Sequence, residues 1–229
     1  MYEYFSRMIQ AILFDLDDLM VNSAPFHMEA SKRVFDRFGI NIDEIPADVI
    51  KTYFGRRVSE IIEDIISHFN LDSKVDLNRI IQEREDLFLQ MVKARLEPMP
   101  GLFELIETIK SLEIRRAVAS SGTKKYVNAV LDKFGLQDFF EAIISGDMVT
   151  KGKPDPEVFL KAAAVLGVDP ATCLVLEDAT HGVAAAKAAG MYCIGVDNQL
   201  SSYKQDLSKS DKVIKRLDEI DLNLLKQFG

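Results

Sequence analysis

The stretch IQAILFDLD, residues 9–17, is a short apolar run that ends abruptly in acid. A uniformly apolar strand of this kind suits a parallel sheet covered on both faces. Similar runs recur at 115–121 (RRAVASS), 141–147 (EAIISGD), 173–178 (CLVLED) and 192–197 (YCIGVD). Between them the spacing predicts helices over Leu102–Ser111, Lys124–Phe134, Pro156–Leu166 and Gly182–Ala189. Strands alternating with helices of this length indicate an α/β fold with a parallel sheet and right-handed crossovers. Residues 24–96 break the rhythm. They hold helical patterns (EASKRVFDRFG, SEIIEDIISHF, NRIIQEREDLFLQMVKARL) and no strand, so they read as an all-helical domain inserted into a discontinuous core of 1–23 and 97–229. The Phe and Met residues of the insert are expected to form its own core. PMPG, residues 98–101, punctuates the return.

With 229 residues, 48% of them hydrophobic, the chain is long enough for one full domain and a smaller accessory one. Its net charge of -8 argues against nucleic acid or an anionic membrane as a partner. It does not exclude an anionic small molecule, because a metal ion and one cation can invert the field inside a pocket. Cys173 and Cys193 each sit in an apolar run and read as buried, reduced thiols. MYEYFSRMIQ does not resemble a signal peptide, and no run approaches the length needed to cross a bilayer, so a cytoplasmic setting is expected.

Polar residues gather at four strand ends: Asp15 and Asp17, Ser120 and Ser121, the loop of Lys153, and Glu177 with Asp178. In open α/β sheets the ligand crevice lies at the carboxyl ends of the strands, so all of them should face one crevice. Asp15 and Asp17, two apart, start on the same side of the chain. Carboxylates that close repel unless a cation joins them. Oxygen ligands of this hardness suit Mg²⁺, which commonly shares its shell with a phosphate, and Lys153 supplies a compensating point charge.

Four segments then carry a specific resemblance: FDLDDLMVNS (14–23), VASSG (118–122), GKPDPEVF (152–159) and VLEDATHGVAAAKAAGM (175–191). In order and spacing the chain resembles the haloacid dehalogenase superfamily, in its β-phosphoglucomutase-like and sugar-phosphatase branch with a helical cap. The resemblance implies a Rossmann-like core and assigns roles. Asp15 would be the nucleophile that forms an aspartyl-phosphate, and Asp17 the general acid and base. Ser120, with backbone N–H groups around Ser121 and Gly122, would hold the phosphoryl group, and Lys153 would balance charge. Mg²⁺ would be held by Asp15, the main-chain oxygen of Asp17, Asp178 and Glu177. His27 matches a histidine of sugar-phosphate members.

The expected activity is a Mg²⁺-dependent phosphatase acting on a small phosphorylated metabolite, a sugar or polyol phosphate. A sugar-phosphate mutase is the alternative, although the Lys-Asn pair that mutases carry after the second motif is incomplete at Ser121–Lys124. Arg56 and Arg57, after Gly55, are candidates to meet a second anionic group or a sugar hydroxyl. Asp18 stands where the family has Gly and Asn22 where it has Asp. Asp tolerates left-handed dihedrals, and Asp18 is expected to face solvent; a charge that disturbed the metal would instead leave a phosphate-binding regulatory protein. Lys32 is the nearest lysine to the position a phosphonate-cleaving member would use. His68 and His181 read as surface residues. Oligomeric state is not legible.

Overall fold

The computed structural model describes residues 9–71, 76–201 and 203–228; most of the N-terminal stretch MYEYFSRMIQ lies outside them. The chain enters on β1 (Ala11–Phe14) and then forms four helices in succession: α1 (Ala24–Asp36), α2 (Ala47–Lys51), α3 (Val58–His68) and α4 (Leu77–Arg95). It continues through α5 (Leu102–Ile109), β2 (Arg115–Ala119), α6 (Lys124–Phe134), β3 (Ala142–Ile144) and α7 (Glu157–Leu166). The last elements are β4 (Cys173–Glu177), α8 (Thr180–Ala188), β5 (Tyr192–Val196), β6 (Lys212–Ile214) and α9 (Leu222–Leu225).

The strands form one parallel sheet in the order β3-β2-β1-β4-β5-β6. β1 is central, pairing Phe14 with Val118 on one side and Leu176 on the other. All four of its residues are fully buried, as its uninterrupted apolar run requires. Alternate residues feed separate apolar clusters on the two faces: Ile12 and Phe14 join α5 and α6, while Ala11 and Leu13 join α7 and α8. This is the expected α/β core of Rossmann type. Cys173 and Cys193 are buried free thiols, and burial pushes the Cys173 thiol up to about 12. No helix among the described residues is long and apolar enough to cross a membrane.

The helical insert has a third cluster of its own, in which Val34, Phe35, Ile62, Ile65 and Ile80 are buried together. Isoleucines outnumber Phe and Met in that cluster, because the second half of α4 leaves it: Phe88, Met91 and Val92 pack with the sheet's core instead. Entry and exit of the insert run side by side. Val21 bridges Pro98, the Asn22 amide donates to the Glu97 carbonyl at 3.0 Å, and the Met99 amide donates to the Met20 carbonyl at 2.8 Å.

Candidate active site

Because the strands are parallel, their carboxyl ends lie on one edge, and the register sets which residues leave it together. Asp15 follows Phe14, and its amide donates to the Leu176 carbonyl at 3.1 Å, which places it beside Glu177. Lys153 arrives from the loop before α7. Its ammonium donates to Asp15 Oδ1 at 2.5 Å, Glu177 Oε1 at 2.7 Å and the Ala119 carbonyl at 3.2 Å. Burial alone would lower the lysine's pKa, but Asp15 and Glu177 outweigh it and hold the ammonium above its usual range. Asp15 and Asp178 are raised well above the usual carboxylate range, first by burial and then by neighbouring carboxylates.

Asp15, Glu177 and Asp178 each present an oxygen within 4.8 Å of the others. Two of these carboxylates are pushed toward neutrality, the condition a divalent cation relieves, and the donors are all hard oxygens of the kind Mg²⁺ prefers. The site therefore fits Mg²⁺. Glu177 carries more than this. Its second oxygen accepts the amides of Asp178 and Ala179, both at 2.9 Å, so its carboxylate links Lys153 to the start of α8. Gly182 makes room for it, since a Cβ there would lie 1.6 Å from Glu177 Oε1.

The second motif forms a tight turn. Ser120 is fully buried, and its hydroxyl accepts the Gly122 amide at 2.9 Å. Ser121 and Gly122 line the cavity above Asp15. The Ser121 hydroxyl donates to the Gly55 carbonyl of the insert at 2.7 Å. His181, expected at the surface, is half-buried, with Nδ1 3.2 Å from the Phe54 carbonyl. Both contacts belong to the seam between insert and core, which local sequence pattern does not reveal.

Asp17 turns toward the insert. Its Oδ1 accepts from Ser23 Oγ at 2.6 Å and Tyr126 Oη at 2.7 Å, and lies 3.1 Å from His27 Nε2. Arg84 Nη2 lies 2.5 Å from His27 Nδ1, and guanidinium nitrogens only donate. Nδ1 is therefore the acceptor and Nε2 carries the hydrogen given to Asp17. Burial, reinforced by Arg84, lowers the His27 pKa, which keeps the ring neutral. Burial works to raise the Asp17 carboxyl, but His27, Ser23 and Tyr126 together hold it below its usual range. Ser23, Arg84 and Tyr126 were not singled out from the sequence, and no local pattern marks them.

Asp18 departs from its expected place in solvent. It is buried, adopts φ 58°, and its Oδ1 accepts the amides of Ser23 at 3.1 Å and Ala24 at 2.9 Å, the cap and first residue of α1. Burial drives its pKa up to about 7. Asn22 uses its backbone to join the returning segment at Glu97. Arg56 and Arg57 are both paired with acids: Arg56 with Asp64 at 2.7 Å, and Arg57 with Glu60 as well as the Val149 carbonyl. Lys124 and His68 are exposed, and Lys32 is exposed and paired with Asp43.

The comparisons with known proteins agree with this geometry. The family model described as haloacid dehalogenase-like hydrolase matches residues 12–196. β-Phosphoglucomutase of Bacillus subtilis is 30% identical over 96% of this chain and 95% of its own length. A phosphorylated carbohydrates phosphatase of Thermotoga maritima is 30% identical over 96% and 99%. Among solved structures, β-phosphoglucomutase from Clostridium difficile superposes with a TM-score of 0.83 at 26% identity, covering 96% of each chain. The motifs, the sheet order and these matches make the chain a member of the haloacid dehalogenase-like hydrolases, an enzyme of that family.

Proposed function

We propose that this enzyme is a Mg²⁺-dependent phosphatase that cleaves a small phosphomonoester through an aspartyl-phosphate on Asp15, with residues 24–96 as its cap and 1–23 and 97–229 as its catalytic core. The observation that carries the reading is the Lys153 ammonium, buried between Asp15 and Glu177 at the strand ends. A lysine so placed steadies an ionised nucleophile and the equatorial oxygens of a transferring phosphoryl group.

In the first half-reaction an Asp15 oxygen bonds to phosphorus, the ester oxygen leaves with the P–O electron pair, and protonated Asp17 supplies its proton. In the second, water attacks phosphorus, Asp17 takes a proton from it, and Asp15 is released with inorganic phosphate. The three donors around Asp17 favour its carboxylate, the form the second step needs. Of these donors only His27 belongs to the cap, so a shift of the cap would withdraw that one and make Asp17 easier to protonate. Ser120, whose hydroxyl is positioned by the Gly122 amide, and the Ser121 amide orient the phosphoryl oxygens. Mg²⁺, held by Asp15, Asp178 and the Asp17 carbonyl, would neutralise charge on phosphate; Glu177, expected among the ligands, has one oxygen on Lys153 and the other on two amides, so we assign it to bracing Lys153 beside the ion.

A mutase must anchor the far phosphate of a bisphosphate. Arg56 and Arg57 are engaged with Asp64 and Glu60, and Lys124 is exposed, which favours hydrolysis over transfer back to a sugar. Asp18 spends its carboxylate on two backbone amides, which favours a working enzyme over a disabled binding protein. The relatives' names make sugar and polyol phosphates the first compounds to test. The experiment follows free phosphate and isomer together by phosphorus NMR, with and without Mg²⁺. Phosphate release is expected to need Mg²⁺ and to fall at least about a thousandfold in Asp15→Asn. Isomer forming faster than phosphate, or an Asn variant within about tenfold of wild type, would overturn the reading.

A further inference from the structure

The space above the carboxylates does not end at the phosphate. A single cavity of about 110 Å³ runs from Asp15, Asp17 and Asp178 upward into the helical insert. Its upper wall is made by Met28, Ile42, Ile50, Ile61, Ile62 and Ile65. The polar groups on that wall are few and mostly committed. Arg84 gives Nε to Ser31 Oγ and Nη2 to His27, and Arg56 gives Nη1 to Asp64. Hydrogen bonding to a guest is left to their remaining guanidinium N–H groups and to the hydroxyls of Ser31 and Tyr53. A hexose or polyol pressed into this wall would leave several hydroxyls stripped of water and unmatched, which is unfavourable. A hydrocarbon group loses nothing there. Apolar cavities of comparable size stay dry and take up guests as large as a benzene ring.

We propose that the leaving alcohol of the preferred substrate carries a compact apolar group, branched or cyclic and of up to about six carbons, which fills the insert's cavity while its phosphate lies on Asp15. The proposal rests on the phosphatase reading for its chemistry, and narrows the substrate class within it. The cavity joins the catalytic carboxylates to the apolar wall without a break, so a guest on the wall is tethered to the reacting phosphorus. Remote binding of that kind is what a cap can convert into orientation at the reaction centre.

Two measurements test it. The first compares kcat/KM for 3-methylbutyl phosphate and cyclopentyl phosphate with that for glucose 6-phosphate, fructose 1-phosphate and glycerol 3-phosphate. The apolar esters should lead by at least about tenfold, since each methylene in a fitted pocket is worth roughly that much in discrimination. The second is binding of 3-methylbutylphosphonate and methylphosphonate to the wild-type protein with Mg²⁺, which needs no turnover. Each buried methylene tightens binding about fourfold, so the longer phosphonate should bind at least about tenfold more tightly. Ile61→Asn, on the half-buried face of α3, should abolish both preferences and leave turnover of acetyl phosphate, too short to reach the wall, unchanged. Sugar phosphates turning over faster than the apolar esters, or the two phosphonates binding within about twofold of each other, would overturn the proposal while leaving a phosphatase. Turnover of no ester at all would sink the phosphatase reading, and the phosphonate pair would still decide what the cavity accepts.

Discussion

Gly182 shows how much a single hydrogen atom can decide. In a helix interior Gly→Ala ordinarily gains about 1 kcal/mol. Here the added methyl would sit 1.6 Å from a Glu177 oxygen and 1.9 Å from its carboxyl carbon, so the brace on Lys153 must be expelled. Displacing a fully buried carboxylate from a lysine and two amides costs about 3 kcal/mol or more, and sterics win. Gly182→Ala should lower the melting temperature and cut phosphate release at least about a hundredfold; a variant within threefold of wild type would remove Glu177 from the machinery. At this scale the sequence was informative where chemistry sits at strand ends. Asp15, Lys153, Glu177 and Asp178 could be brought together by topology alone. Tyr126 could not, because its bond to Asp17 joins residues 109 apart and depends on how α6 packs beside the β1 exit. Asp18 was misplaced for a related reason. A substitution that looks like an extra surface charge is, in three dimensions, a buried acceptor.

The role of Asp18 belongs to α1. Ser23, at the head of that helix, spends its hydroxyl on Asp17 and makes no side-chain cap, so the Asp18 carboxylate satisfies the exposed amides instead. Asp18→Gly removes those acceptors but also relieves a non-glycine residue at φ 58°. Each effect is worth about 1–2 kcal/mol, so they nearly cancel. Its melting temperature should move by only a few degrees, while hydrogen exchange at Ser23 and Ala24 quickens at least about tenfold. Unchanged exchange would show that the carboxylate does not hold the helix. Longer elements with full periodicity were the legible ones: Lys124–Phe134 is a helix from end to end as expected, and the helices expected over 102–111, 156–166 and 182–189 each end within two residues of expectation, whereas the four-residue α9 was not anticipated. β6 escaped notice because only Ile214 of its three residues is buried, which leaves no apolar run to read. α2, at five residues, is too short to display a period.

Across the whole molecule, buried acid couples stability to pH and to metal. Asp15, Asp18 and Asp178 bind protons more tightly in the fold than in the unfolded chain. Through these groups the native state holds more protons, so their contribution to stability is greatest below the unfolded carboxylate range and declines as pH rises toward the folded values, while Asp17, lowered to about 2, has the opposite sign but only in that acid range. His27, with its lowered pKa, has the opposite sign, but only below about 6.5. Between pH 6.5 and 8 the acids act alone. Metal-free protein should therefore melt at lower temperature at pH 8 than at pH 6.5, and Mg²⁺ should raise the melting temperature more at pH 8. At a hundred times its Kd the ion contributes about 2.7 kcal/mol. Equal Mg²⁺ shifts at both pH values would contradict the carboxylate ligands. The sheet order has one more effect, on the chain as it is made. β1 is synthesised first yet lies between β2 and β4, so it must wait for residues 115–119 and 173–177 to appear. At ribosomal rates of about 5–20 residues per second, that is on the order of ten to thirty seconds. Throughout it this wholly apolar strand lacks one neighbour or both. The helical insert, which follows β1 directly and has a cluster of its own, can fold in that interval. A nascent chain halted before residue 170 would be the species a chaperone binds.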